Sequence, residues 1–494
     1  MLGGFYLRFG ASPDERVNRR LQGIAQAVLD APHPALTDVL AGYSTLYLEY
    51  DRAKLSEAEL TRWLGAFRDV VPAPGRQLTV PVVYDGPDLE EVATRTGLNV
   101  AEVIARHSRR TYYVYALGFT PGLAFMGDLE PTLQLPRRAA PRASVPAQSV
   151  AIANAQTTVY PVASPGGWHL LGRTAGPVYE PAAREPFLFA AGDCVRFESV
   201  AETVSKPAVD GPELLPQTPH TPLLQVAKPG LLDLVVDRGR FLAGHLGFAR
   251  SGPLDPVSAG WANRLVGNDV GAALLELNVQ GGIYEVLGGG VLAFTGGGLR
   301  AQLNGEAVTP DSSFAVRRGD RLSFVPTQVG SRGYLALAGG LECGRFRGSA
   351  SVDVRGRIGR ALRTGDVLGS AQPHSVRAGR TFSPYRFDGA LRLVPGPQAS
   401  AEALSALTRQ TFTVGRADRM GVQLLGGAVP GGEVLSEGVP LGSVQVPPGG
   451  TPLLLLNDRG TLGGYAKPAV LHPADLPRAA QLRPGQEVRF KLLK

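Results

Sequence analysis

The side chains best equipped for chemistry in this chain are arginines and carboxylates that stand beside bare backbone. Ser164-Pro165-Gly166-Gly167-Trp168 runs directly into His169-Leu170-Leu171-Gly172-Arg173-Thr174. Two adjacent glycines let something approach the main chain closely, because neither has a Cβ. An indole and a guanidinium follow within one short stretch. Upstream stand Gly118-Phe119-Thr120-Pro121-Gly122, Pro136-Arg137-Arg138, Pro141-Arg142 and Val159-Tyr160-Pro161. Arg137 and Arg142 beside the N–H groups of Gly166 and Gly167 would form a site for a carboxylate or phosphate. His107 is placed to carry a proton, and it reads equally well as the cation that closes its own helix.

The same ingredients recur later. Asp237-Arg238-Gly239-Arg240 leads to Ser251-Gly252-Pro253-Leu254-Asp255, then to Asn263, Gly267-Asn268 and Glu276. Asp255 at the mouth of a helix suits an anion-binding corner; Asp255 as a plain N-cap ahead of Pro256 fits as well. Near the end, Asn457-Asp458-Arg459-Gly460-Thr461-Leu462-Gly463-Gly464-Tyr465-Ala466-Lys467 repeats carboxylate, double glycine and aromatic. Walker-type, His-Glu-x-x-His, Cys-x-x-Cys and Gly-x-Ser-x-Gly motifs are absent from the sequence. A bound nucleotide would therefore not sit in a P-loop cradle, and no metal-ligand or serine-nucleophile signature stands out.

The elements that must position these residues are mostly strands. With 63 glycines and 40 prolines in 494 residues, tight turns are frequent and β-rich architecture is expected. A chain this long divides into several domains. The net charge of +7 rests almost wholly on arginine, six lysines aside. These arginines are scattered among carboxylates, which argues against a nucleic-acid surface. Cys194 and Cys343 have no metal or redox spacing, no apolar run approaches membrane-spanning length, and no signal-peptide core opens the sequence. A disulfide-free cytoplasmic protein is expected.

Residues 1–84 read as strand, helix, strand, strand, helix, strand, with Ser12 and Ser56 as N-caps and Leu78 to Val83 closing the layer. Residues 85–203 open with two short helices, the second capped by Asn99, and continue as short strands between Pro/Gly turns. Residues 204–223 are a Pro-rich linker. Residues 224–385 and 386–494 form two further β modules, with helical interruptions at Pro256 to Leu265 and near Ser400 to Leu407. Gly192-Asp193, Gly319-Asp320, Gly365-Asp366 and Gly485-Gln486 each feed an alternating strand. This recurrence points to related β modules, or simply to common turn chemistry.

In ordered motifs the first half resembles the B component of bacterial 5-oxoprolinase, the Kip inhibitor or allophanate hydrolase subunit 1 family. The match runs through His107, Gly118 to Gly122, Pro136 to Arg142, Tyr160-Pro161 and Pro165 to Thr174. The second half resembles the C component, the biotin-dependent carboxyltransferase-like family, also called allophanate hydrolase subunit 2. It matches at Asp237-x-Gly239-Arg240, Ser251-Gly252-x-x-Asp255, Ala262-Asn263, Gly267-Asn268, Glu276, Tyr334 to Gly340, Gly359-Arg360, Gly438, Gln445-Val446-Pro447, Asp458 and Gly463-Gly464-Tyr465. The chain departs from these families at Gln148 and Asn154, where glycines are usual. It also departs at Val236, at Phe346 to Ser351, and at Gly460 and Leu462.

The resemblance implies a mainly β fold: a small α+β N-terminal domain followed by cyclophilin-like β-barrel modules. It implies a fused B–C component of an ATP- and Mg²⁺-dependent enzyme that opens 5-oxo-L-proline to L-glutamate. A separate A-type subunit would complete that enzyme, with B–C units associating with one another. An unactivated lactam is a poor electrophile, and phosphorylating its oxygen creates a leaving group, so arginines, backbone N–H groups and carboxylates suffice. On this reading Arg137, Arg142 and Arg173 hold an anion and His107 is the acid/base. Asp237, Arg240, Asp255 and Asp458 contact metal-phosphate or substrate. Phe119, Gly122, Gly166, Gly167, Trp168, Ser251, Gly252, Asn263, Asn268, Glu276, Gly463, Gly464 and Tyr465 line the site. Two other functions share the motifs. One is biotin-dependent carboxyl transfer to urea or a related amide, which would need partners because no Met-Lys-Met segment is present. The other is regulation of a sensor histidine kinase, disfavoured because fusing an inhibitor to its antagonist defeats a switch.

Overall fold

The structure, a computed structural model, describes residues 2–493 apart from 11, 69, 141, 203–210 and 384–388. It is mainly β, as the turn-rich composition requires. The N-terminal layer is a three-stranded antiparallel sheet in which Thr45–Asp51 lies between Leu2–Arg8 and Leu36–Ala41. Helix Glu15–Asp30 covers it with Leu21, Ile24 and Val28, the 3.6-residue stripe seen in the sequence. Its cap is Asp14, whose carboxylate accepts the Val17 N–H at 2.9 Å, and not Ser12. The caps at Ser56 and Asn99 match, each forming a reciprocal capping box, and the helix expected near Ser400 to Leu407 runs Ala401–Arg409 with Ser400 as its cap.

One strand changes owner. Leu78 to Val83, expected to close the N-terminal layer, belongs to strand Gln77–Val83 of a closed seven-stranded barrel. There it runs parallel to Cys194–Ser199 and antiparallel to His169–Thr174. The reason is burial: Val80 and Val82 fill the barrel core with Tyr112, Val114, Val150 and Phe197, so apolar alternation alone did not reveal which sheet would claim them.

The described part of the Pro-rich stretch is no free tether; its first part, including Pro207, lies outside the described residues, as does Pro141. Leu214 is buried in the core of the next module, and the Pro212 and Leu214 carbonyls accept N–H groups from Gly359 and Gly344. The second half begins with a six-stranded and a five-stranded sheet, onto which helix Pro256–Leu265 packs. It ends in an eight-stranded sheet spanning Leu391–Pro395 to Glu487–Leu492. The boundary expected between these modules, at 385/386, lies outside the described residues. Among the described residues no helix is long and apolar enough to cross a membrane, and both cysteines are free.

The four Gly-polar turns share one geometry. Gly192, Gly319, Gly365 and Gly485 have φ of 92°, 93°, 91° and 84°. The following side chain accepts the N–H three residues before it, from Ala190, Arg317, Arg363 and Arg483. A Cβ on any of these glycines would meet nothing within 4 Å, so positive φ alone selects glycine. Gly319→Ala should therefore cost roughly 1–2 kcal/mol, read as a lower chemical-denaturation midpoint, with ligand binding unchanged; an unchanged midpoint would contradict this.

Candidate functional site

The motif residues of the two halves face each other along one seam. The start of strand Leu462–Leu471 lies against the barrel: a Cβ on Gly118 would sit 2.5 Å from Leu462, and one on Gly460 3.0 Å from the Phe119 ring. Further along the strand, the Arg137 guanidinium lies 5.3 Å from the Tyr465 ring centroid, over Gly464, whose bare Cα leaves the room it occupies. Arg137 Nε is 3.9 Å from Glu433, too long for a hydrogen bond, and is a buried donor without a partner. Tyr43, Tyr115, Phe125, Tyr160, Trp168 and Leu462, drawn from all three regions, seal the seam.

The glycine corner is built for this packing. Strand Ser164–Gly166 pairs with Arg142–Val145, setting Gly166 opposite Arg142. A Cβ on Gly166 would lie 2.2 Å from the Tyr160 hydroxyl, and the Gly167 carbonyl accepts the Arg138 N–H at 2.8 Å. Asp88, at the head of helix Leu89–Thr96, holds Arg142 at 2.5 Å and Arg138 at 3.1 Å, and accepts the Leu170 N–H at 2.7 Å. Arg142 is thus an orienting residue. Gln148 and Asn154, which replace glycines, have φ of 70° and 51°, so those family glycines answer a backbone demand that this chain meets with side chains.

At the other end of the seam charge is concentrated and unusually buried. Arg419 donates to Glu276, to both Asp458 oxygens at 2.8 and 3.1 Å, and to the Gly252 carbonyl at 2.8 Å. Burial works against its charge, but Asp458 and Glu276 outweigh that and hold the guanidinium charged. Burial likewise opposes ionisation of Glu276, and Arg419 with Arg332 more than offsets it. Buried polar atoms with no partner among the described residues include Thr120 Oγ1, Ser251 Oγ, Asp353 Oδ2, Arg355 Nη2 and Thr461 Oγ1. Arg355 bridges the two halves, 5.9 Å from the Phe119 ring centroid and donating to the Asp458 carbonyl at 3.4 Å. Ser251 has φ of 53°, its carbonyl held by Asn457 at 2.8 Å. Unpaired buried groups are costly, and these five come from loops of both halves.

Other expected site residues are held by partners within the fold. His107 lies in the barrel core, stacked 4.9 Å from Phe197. Thr157 gives its proton to Ala151, so His107 Nε2 donates to Thr157 at 2.9 Å and Nδ1 accepts from Tyr84 at 2.7 Å. Burial pushes its pKa down to about 3, and a neutral, fully enclosed ring cannot be the acid/base. Arg173 is half-buried and paired with Asp85 at 2.9 Å. Asp237 accepts from Gly239, Ser349, Ala350, Ser351 and Arg345, which uses both oxygens to shape a loop. Arg240 is clamped by the carbonyls of Phe346, Ala249 and Ser351. Asp255 is an N-cap on Ser258 that also accepts from Gln481. Asn263 and Asn268 brace a turn through Ala272, Leu337 and Gly339. Gly122, at φ 74°, carries an N–H bonded to the Leu246 carbonyl and helps dock the barrel on the second half.

Arg355, Asp353 and Arg419 are not among the residues expected from motifs. A signal existed: Asp-Arg-Gly at 237–239 and 458–460 recurs loosened as Asp418-Arg419-Met420-Gly421 and Asp353-Val354-Arg355-Gly356. Among the described residues no three His, Cys, Asp or Glu converge as a metal cage. A Mg²⁺ ion carried by phosphates would need only one or two protein carboxylates; Asp353 Oδ2 is buried with no partner among the described residues.

This geometry is testable at two buried groups. Arg419→Ala strands two buried carboxylates and should cost about 3–5 kcal/mol, measured by denaturant unfolding; a loss below about 1 kcal/mol would refute the network. Because the folded His107 pKa lies below its unfolded value, the unfolded state binds the extra proton, and stability must fall as pH drops from about 6.5 toward 3. Between pH 6.5 and 5 this is worth about 2 kcal/mol, so His107→Gln should lose that much less than wild type over the interval. Equal losses would assign the proton elsewhere.

Residues 3–189 match the family described as carboxyltransferase domain, subdomain C and D, and residues 246–492 match carboxyltransferase domain, subdomain A and B. The B component of 5-oxoprolinase from Bacillus subtilis is 34% identical over 213 residues, covering 40% of this chain and 89% of that protein. The C component of 5-oxoprolinase from Escherichia coli is 34% identical over 283 residues, covering 54% of this chain and 90% of that protein. The crystal structure of TTHA0988 superposes with a TM-score of 0.94 at 53% identity, covering 99% of this chain and 100% of that one. With one relative for each half and one solved structure similar throughout, the chain belongs to the carboxyltransferase-domain family, a half like the 5-oxoprolinase B component fused ahead of a half like the C component.

Proposed function

We propose that this chain is the B–C component of an ATP-dependent 5-oxoprolinase, opening 5-oxo-L-proline to L-glutamate together with an A-type subunit. The observation that carries the reading is the seam, where motif residues of both halves are buried against one another. A lactam acid needs a cation for its carboxylate and hydrogen bonds for its ring amide. Arg137, whose Nε makes no hydrogen bond among the described residues and whose guanidinium lies over Tyr465, suits an anionic group at its own end of the seam. The hydroxyls of Thr120, Ser251 and Thr461 and the Arg355 Nη2 suit an amide oxygen that gains charge as it is activated. ATP supplies the phosphoryl group that turns that oxygen into a leaving group. The aromatic seal around Tyr43, Tyr160 and Trp168 excludes bulk water, which strengthens each of these contacts.

The test is turnover of 5-oxoproline by the full chain with its cognate A-type partner, following ADP and glutamate. Equal release of both supports the reading. No turnover with the partner present refutes it, and turnover that requires bicarbonate and carboxybiotin would assign carboxyl transfer instead. Within the active assembly, Arg137→Ala should lower kcat/KM for 5-oxoproline by about 10- to 100-fold, the worth of one charge-assisted hydrogen bond, with an unchanged melting temperature. An unaltered kcat/KM would remove Arg137 from the site.

A further inference from the structure

A separate cleft of about 640 Å³ opens where the N-terminal layer meets both modules of the second half. We infer that this cleft is the nucleotide site: an aromatic base on its apolar floor, and a di- or triphosphate along its arginines. The inference rests on the ATP dependence proposed above, but its location follows from this cleft alone. The volume lies in the range of small-molecule sites, which favour domain junctions and combine an apolar lining with a few polar groups.

The floor leaves apolar side chains in the open: Phe241 is 41% and Val257 50% exposed. Trp261 stands between them and the rim, stacked on Phe382 at 3.9 Å and 14°, with the Arg264 guanidinium 5.0 Å from its ring centroid. Phe382 and the Arg264 guanidinium both cover the indole ring, which fixes that guanidinium beside the cleft where a phosphate can meet it, and leaves Phe241 and Val257 as the floor for a flat base. Among the described residues no carboxylate pairs with Arg264.

Two more guanidinium groups line the cleft. Arg250 is 7% exposed, donates to Glu49, and keeps an Nε with no partner. Arg238 lies across Gly271, where a Cβ would fall 2.1 Å from its Nε, and Asp269 steadies it at 3.0 Å. Of the carboxylates lining the cleft, Asp237 is fully engaged by its loop, and Asp51 accepts the Ala53 N–H. Asn457, which also lines the cleft, donates to the carbonyls of Ser251 and Pro253. Cleft and seam therefore lie on two sides of one Ser251–Asn457 joint, so phosphates in the cleft would border the junction where the lactam is activated.

Titration of the full chain with MgATP, MgADP, adenosine and pyrophosphate, by calorimetry and tryptophan fluorescence, tests the assignment. Both nucleotides should bind more tightly than adenosine or pyrophosphate, because base and phosphates each contribute. Arg264→Ala and Arg238→Ala, both at exposed positions, should each weaken MgADP about 10-fold, and Trp261→Leu should abolish the fluorescence response. Arg137→Ala should leave nucleotide affinity unchanged. In the active assembly the Arg264→Ala variant should raise the KM for ATP and not that for 5-oxoproline. Unchanged MgADP affinity in the Arg238→Ala/Arg264→Ala double variant, or no nucleotide binding at millimolar concentration with or without the A-type partner, would overturn the inference. If ATP-driven turnover persisted with those results, the proposed function would stand without this site. If wild type bound MgADP here but never turned over 5-oxoproline, the site would stand without that function.

Discussion

Arg419 carries a full charge into the protein interior, and this is tolerated only because two carboxylates from different modules meet it there. Glu276 comes from the first module of the second half, and Asp458 from the last. Neither carboxylate is stable in that setting without the guanidinium, and the guanidinium is not stable without both. The group also holds the Gly252 carbonyl, while Asn457 holds those of Ser251 and Pro253. One buried cluster therefore fixes the turn at 251–253 and the segment that opens into Gly460–Tyr465. The seam depends on that segment, because its glycines and Leu462 are what the barrel packs against.

A second buried pair performs the same service for the N-terminal layer. Glu49 receives Arg250 from the second half and the Thr37 hydroxyl from its own sheet, with Arg459 close enough to favour its charge. Asp38, buried nearby, accepts the Gly244 N–H. Charged groups of three regions thus lock geometry across the joints, where apolar packing alone would permit sliding. The seam and the cleft at the Ser251–Asn457 joint both inherit their shape from these two clusters. Two relatives match the halves separately, and the residues that bridge the halves here are the ones such separate chains would need to bring together on assembly.

Local chemistry was legible in the sequence. Capping boxes at Ser56 and Asn99 and the Gly-polar turns before strands stand where their residue types demand, because each needs only neighbours three residues away. The close-packed corner at Gly166–Trp168 was also legible, since two glycines in a row answer to close approach. What could not be read was long-range. Strand Gln77–Val83 carries an alternation that suits either sheet. His107 ends a helix in the way a functional histidine would, and only its stack on Phe197 shows that it belongs to the core. Arg419, Asp353 and Arg355 sit in unremarked turns, and the weight that Arg419 and Arg355 carry comes from partners distant in sequence. Asp237 and Arg240 carry the motif and serve the loop, so a shared motif fixed the family more securely than the role of each side chain.

The central claim is that one ligand site is assembled from both halves along the seam. Amide hydrogen exchange of the full chain, together with the A-type subunit proposed as its partner and titrated with 5-oxoproline, tests this. Residues 118–122 and 460–465 should slow together, at the same ligand concentration, because they face one another across the site. Protection confined to a single half, or exchange unchanged at saturating 5-oxoproline, would contradict the account.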